Sequence, residues 1–144
     1  MEKLNTEILN EVCRKSFVEH LGIRFTSFDG KTLEGEIHIS SYHLQPVGVV
    51  HGGVYLSFAE TLAGGGSALI LSDENKAAFG NTVSSQHLAP VKDGLIIGKA
   101  TIRHQGIFKH IWDIEITDAS GKLISLSRVT NSIKILDQKD IREG

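Results

Sequence analysis

The stretch Gln45-Pro46-Val47-Gly48-Val49-Val50-His51-Gly52-Gly53-Val54-Tyr55-Leu56-Ser57-Phe58-Ala59-Glu60-Thr61 leads into the longest weakly polar run of the chain, Gly52–Ser72, in which Glu60 is the only charge. A membrane span needs about 20 predominantly apolar residues. Ser57, Glu60, Thr61 and the triple glycine Gly64-Gly65-Gly66 dilute this run too far for that. A helix that is apolar on nearly all sides is instead wrapped by other elements of its own protein. The run therefore predicts a core helix that begins near His51 or Gly52.

Outward from that helix the pattern is of strands. Leu33–Ile39, LEGEIHI, alternates apolar and polar residues at period two, and Gly94–His104, Ile111–Thr117 and Leu123–Ile135 are similarly β-rich. Turn signals at Asp29-Gly30, Asp93-Gly94 and Ser120-Gly121 separate them. Leu21–Phe28 and Ala77–Leu88 supply two more strands, the second ending before Pro90, and Asn5–Phe17 has the spacing of an amphipathic helix. The predicted order is short helix, two strands, long buried helix and four strands. One apolar helix packed on an antiparallel sheet of about six strands that curls around it is an α+β solution.

The chain has 144 residues and a net charge of -2. It is expected to form a single domain over residues 1–144, long enough to bury a core without staples. Its charge balance offers no basic footprint for nucleic acid and no polybasic patch for an anionic membrane. Residues 1–17 intersperse charges among apolar residues, unlike a signal peptide, and this predicts a cytoplasmic protein. Cys13, the only cysteine, excludes an intramolecular disulfide and a cysteine-based zinc cage. It reads as a small apolar filler.

The spacing of Gln45, then His51-Gly52-Gly53, then Glu60 resembles the glutamate-using branch of the hotdog-fold acyl-CoA thioesterases, of the 4-hydroxybenzoyl-CoA, dihydroxynaphthoyl-CoA and enterobactin-proofreading types. The resemblance continues through Glu19-His20-Leu21-Gly22-Ile23, Gly80 followed by Gln86-His87, the segment from His104 to Trp112, and Ser127-Arg128-Val129-Thr130. It implies the hotdog fold and hydrolysis of an acyl- or aroyl-CoA. Glu60 would be base or nucleophile and the Gly52 N–H the oxyanion donor, with Gln45 and His51 positioning the thioester. His87 would lie near the acyl group, with Gly53, Gly64 and Lys109 as further substrate contacts. The assembly implied is a homodimer, with a dimer of dimers above it, and no cofactor is called for. Two positions depart from the pattern. Gly64 stands where the family usually carries Ser or Thr, and Ile107-Phe108 precede Lys109 where it often carries polar or basic side chains for coenzyme A phosphates.

These roles have a physical basis. A helix N-terminus carries unpaired N–H groups and a partial positive charge, suited to a carbonyl oxygen that gains negative charge. Glycines there permit close approach. A carboxylate buried in an apolar helix is expected to have its pKa raised by desolvation and to be a stronger base. On one helix, however, nine residues separate His51 from Glu60 by about 13 Å along the axis and place them on opposite faces. Either the two belong to different sites or a second copy brings its glutamate to the first copy's Gly52. The resemblance implies the latter, at a two-fold interface.

Each assignment has a plainer rival. Glu60 could pair with an Arg or Lys, His51 could simply cap the helix, and Gln45 could be an ordinary loop amide. His38, His43 and His110 read as surface or strand residues, and the seven histidines show no spacing that makes a metal site. A non-catalytic acyl-CoA sensor on the same fold would be expected to carry an appended regulatory segment, for which the roughly 20 residues before the first strand leave no room. A hydratase would need another arrangement of acid and histidine. Aromatic, short aliphatic and long aliphatic acyl groups all remain open.

Overall fold

The computed structural model describes residues 3–137. Its elements are α1 (Thr6–Val12), α2 (Phe17–His20), β1 (Arg24–Phe28), β2 (Thr32–His38), α3 (Gly52–Ile70), β3 (Lys76–His87), β4 (Leu95–Gln105), β5 (Lys109–Asp118) and β6 (Leu123–Ile135). The strands form one antiparallel sheet in the order β1-β2-β4-β5-β6-β3, with α3 packed against it. No described helix is long and apolar enough to cross a membrane.

Packing explains the composition of α3. Phe58, Ala59, Leu62 and Ala63 are completely buried among Leu33, Ile37, Ile96, Ile114, Ile116 and Val129 of the sheet. Gly35 and Gly98 are cross-strand partners on β2 and β4, and side chains there would strike Leu62 and Phe58 at 2.5–2.9 Å, so the pair forms a notch that receives them. The triple glycine divides by direction. Gly65 meets Phe25, Leu9 and Leu33, and Gly66 lies against the indole of Trp112, whereas Gly64 faces open space. A glycine in a helix costs about 1 kcal/mol relative to alanine; close contact with the sheet offsets that cost at the two inward positions.

The predicted strands are found within one to three residues of their expected ends. The N-terminal helix differs: Asn5 caps α1 by accepting from the Ile8 N–H, the chain turns through Lys15 at φ 59°, and Ser16 caps a second helix. Gly22, at φ 75°, then ends that helix, so β1 starts at Arg24 rather than Leu21. Two of the histidines read as surface or strand residues are buried. His43 is buried in a 3₁₀ turn, with Nδ1 accepting from the Ser40 N–H and Nε2 2.6 Å from the Leu21 carbonyl, which joins the approach to α3 to the end of α2. His110 is on a strand but only 1% exposed.

His110 belongs to a buried polar cluster centred on Ser67. Ser67 Oγ receives the Trp112 Nε1–H at 2.9 Å and an Asn131 Nδ2–H at 3.1 Å, and lies 2.8 Å from His110 Nδ1. With both oxygen lone pairs filled by donors, its own proton goes to His110 Nδ1, which must therefore be unprotonated. Burial pushes the His110 pKa down, with His104 and Lys76 adding to the effect and Glu74 opposing it. The unfolded chain thus binds more protons than the folded one once pH falls to about 6.5 and below. Stability is expected to be fully present above about pH 6.5 and to decline as pH falls toward the lower folded value, measured as the urea midpoint at successive pH. Ser67→Ala, which leaves the buried Trp112 N–H unpaired and takes one acceptor from Asn131 Nδ2, whose other acceptor is the Ala63 carbonyl, is expected to cost about 1–3 kcal/mol for each N–H left unpaired.

Candidate active site

The entry to α3 is held from three sides. Gln45 and Val49 are joined by the Gln45 N–H to the Val49 carbonyl at 2.8 Å, Leu44 bridges Val50, and a turn from Gln45 to Gly48 has Pro46 at its second position and Gly48 at φ 88°. The Val50 N–H bonds Val91 O and the His51 N–H bonds His43 O. Gln45 Oε1 accepts from the Val47 N–H at 3.1 Å, which leaves its NH₂ group available as a donor.

His51 is the N-cap. Its Nδ1 accepts from the Gly53 N–H at 2.8 Å, so in the neutral ring the proton is on Nε2 and can be donated outward. A side chain on Gly53 would meet that Nδ1 at 2.9 Å; the second glycine of the motif accommodates the histidine ring. Gly52, as the first helical residue, has an N–H with no intrahelical acceptor. It borders a cavity of about 300 Å³ lined by Val49, Gly52, Tyr55, His87, Leu88 and Pro90, among others. The His87 imidazole covers Gly52 so closely that a Cβ there would lie 2.9 Å from Nε2.

Glu60 is elsewhere. The expected burial is absent in the single chain: α3 has one open stripe, with Leu56 and Glu60 exposed and Ser57, Thr61, Gly64 and Ala68 half-buried. The Glu60 carboxylate lies directly over Gly80 of β3, in space that any side chain at Gly80 would fill. Gly80 adjoins a bulge that breaks the β3–β6 register before Thr82, a common device for directing a side chain at a site. Glu60 forms no ion pair among the described residues, which removes the pairing alternative within one chain.

The two halves thus stand at different points on β3, Glu60 at Gly80 and Gly52 at His87, which are roughly 20 Å apart along the strand. Lys109 belongs with the first end. It is abreast of Ser132 and, through it, of Phe79, next to the exposed Ile107 and Phe108. A side chain at Gly64 would meet nothing within 4 Å. His38 is exposed at the end of β2. Among the described residues no group of three or more His, Cys, Asp or Glu side chains could hold a metal.

Two neighbours of the cavity were not singled out from sequence. The Tyr55 ring packs 5.1 Å from that of His87, and the buried Ser125 hydroxyl is 2.9 Å from His87 Nδ1. Ser125 carried a signal, as a polar residue in phase with Ser127, Val129, Asn131 and Ile133 on the inward face of β6.

The family model described as the thioesterase superfamily matches residues 47–125, which contain both halves of this arrangement except Gln45. The chain belongs to the thioesterase superfamily. It is accordingly a hydrolase of thioester bonds, on the hotdog fold. A crystal structure of a thioesterase from Haemophilus influenzae superposes on this thioesterase with a TM-score of 0.89, at 33% identity over 95% of this chain and 96% of that one. The 1,4-dihydroxy-2-naphthoyl-CoA hydrolase of Escherichia coli (strain K12) is 31% identical over 91% of this chain and 96% of its own length. Two structures of a Staphylococcus aureus thioesterase, with TM-scores of 0.79 and 0.78 at 28% and 26% identity, cover 83% and 81% of this chain and 98% and 97% of theirs. One carries a glutamate-to-alanine and the other a glutamine-to-alanine substitution, separated by as many residues as Gln45 and Glu60 here.

Gly80→Ala tests the placement of the carboxylate. The displaced atoms are at the free end of a side chain, so the fold is expected to survive with its thermal midpoint little changed. Thioester turnover is expected to fall at least about tenfold, as for a catalytic group moved by an ångström.

Proposed function

We propose that this thioesterase hydrolyses an acyl- or aroyl-CoA thioester, as one domain that acts in the cytoplasm as a homodimer, in sites each shared by two copies. The observation that carries this reading is the separation of Gly52 and Glu60 along β3. Among the described residues that strand is at the edge of the sheet and pairs only with β6, so along its twelve residues, none a proline, the N–H and C=O groups of every second residue point outward without a partner strand. An edge of this length is a template for another strand. Antiparallel pairing of two β3 strands about a two-fold axis near Val83 and Ser84 would set Gly80 of one copy close to His87 of the other. Each Glu60 would then face the other copy's Gly52, and the partner would cover the open stripe of α3.

In such a site the Gly52 N–H receives the thioester oxygen as it gains charge, while Gln45 NH₂ and His51 Nε2–H hold the carbonyl. The Glu60 carboxylate either takes a proton from the attacking water or attacks the carbonyl carbon itself, giving an anhydride that water opens. Collapse of the tetrahedral intermediate expels the thiolate, which takes up a proton to leave free acid and thiol. Lys109 is suited to a coenzyme A phosphate. The E. coli relative, named for hydrolysis of a CoA thioester, supports the carrier. The paired S. aureus substitutions support the spacing of Gln45 and Glu60.

Glu60→Gln keeps volume and removes the base and nucleophile. Turnover is expected to fall by at least ~100-fold with fold and substrate affinity retained, followed by thiol release from a panel of acyl- and aroyl-CoA. A variant that assembles and turns over at the wild-type rate sinks the role of Glu60. Sharing is tested by mixing: Gln45→Ala/His51→Ala chains and Glu60→Ala chains, each inactive, are expected to regain activity together. Ser84→Cys in a Cys13→Ala background is expected to link two chains with a short bifunctional maleimide. Absence of both rescue and linkage, with subunit exchange demonstrated, rules out the shared site.

A further inference from the structure

Apart from the chain neighbours of Gly52, His87 is the side chain that a Cβ there would meet first, and its surroundings fix its proton. Nδ1 is 2.9 Å from Ser125 Oγ, and Ser125 Oγ is 3.3 Å from the backbone carbonyl of Gln86. A carbonyl only accepts, so the second contact takes the single proton of the serine hydroxyl. The first contact then needs its proton from the ring. Donation in the other direction, from Ser125 to Nδ1, would leave the Gln86 contact with no proton. Both are satisfied by one chain of donors, His87 Nδ1–H to Ser125 O–H to Gln86 C=O.

A neutral imidazole has one N–H. With it on Nδ1, Nε2 carries a lone pair, and Nε2 has no hydrogen-bond partner among the described residues. This is the atom that stands over Gly52 at the wall of the cavity. Ser125 is 0% exposed on β6, the strand paired with β3, and the Tyr55 ring packs against the imidazole at an interplanar angle of 50°. The ring is therefore held from its far edge and from one face.

We infer that Ser125 is a positioning residue of the thioesterase site, which fixes His87 in the tautomer whose Nε2 accepts a hydrogen bond beside Gly52. The inference rests on the assignment of Gly52 in the proposed function. An acceptor at this point repels a carbonyl oxygen that is gaining negative charge, so His87 does not join Gly52, Gln45 and His51 in holding it. Its chemistry selects an O–H donor. Two sources present one there: the attacking water, which would give its other hydrogen to the partner subunit's Glu60 and direct a lone pair at the thioester carbon, or a hydroxyl on the acyl group.

Histidine ring ¹⁵N resonances of the full-length protein at pH 8 are the test, with His87→Gln used to assign the His87 pair. Wild-type protein is expected to show a protonated Nδ1 and an unprotonated Nε2. Ser125→Ala is expected to shift the ring toward the Nε2–H form and to weaken thioester hydrolysis about tenfold, the scale of one lost hydrogen bond. Benzoyl-CoA and a hydroxybenzoyl-CoA distinguish the sources: an equal fall in kcat for both identifies the water, and a rise in KM for the hydroxylated substrate alone identifies the acyl hydroxyl. An Nε2–H ring in the wild type, a ring unaffected by Ser125→Ala, or a shifted ring with unaltered kinetics overturns the inference. A wild-type protein that hydrolyses no thioester would instead sink the proposed function, and the resonances would still report the tautomer.

Discussion

The packing of α3 into its sheet fixes where Gly52 and Glu60 stand. Phe58 and Leu62 enter the notch at Gly35 and Gly98, and Gly66 receives Trp112, so the helix has little freedom to slide or roll. Its N-terminus is thereby held against His87 and its middle against Gly80. Chemistry at either point depends on a helix whose position is determined by contacts on its opposite side.

The same rigidity keeps Gly52 and Glu60 apart within one chain. Donors gather at one end of β3: the Gly52 N–H, the outward nitrogen of His51 and the amide of Gln45. The carboxylate lies over Gly80, seven residues back along β3, a residue without a side chain. On α3 the eight-residue spacing holds Gly52 and Glu60 about 12 Å apart along the helix axis. In the proposed site a second copy closes that gap.

Much of this was legible in the residues because it is local. Period-two alternation located the strands within a few residues, and the long weakly polar run located α3 and its start. The His51 cap is the plainer of the two roles that its place before two glycines allowed. Other features depend on distant partners and had no local signature. The burial of His110 is produced by Ser67, 43 positions earlier, and that of His43 by the Leu21 carbonyl, 22 positions earlier. Glu60 misled for the opposite reason: its apolar neighbours in sequence occupy the faces of the helix turned away from it. The break between α1 and α2 was hidden because both halves carry apolar residues at helical spacing, and only the Ser16 cap marked it.

The order of the strands also governs how the molecule comes into being. Among the described residues β3 has a single partner, β6, which follows it in the sequence with β4 and β5 in between. Pairings of such long separation form late and slowly. During synthesis, therefore, β3 has no hydrogen-bonded neighbour until Leu123–Ile135 has left the ribosome, and α3 has no complete sheet to cover its apolar faces. The edge that another copy would recognise is therefore set in order only after β6 has been made, and until then β3 is exposed to wrong partners.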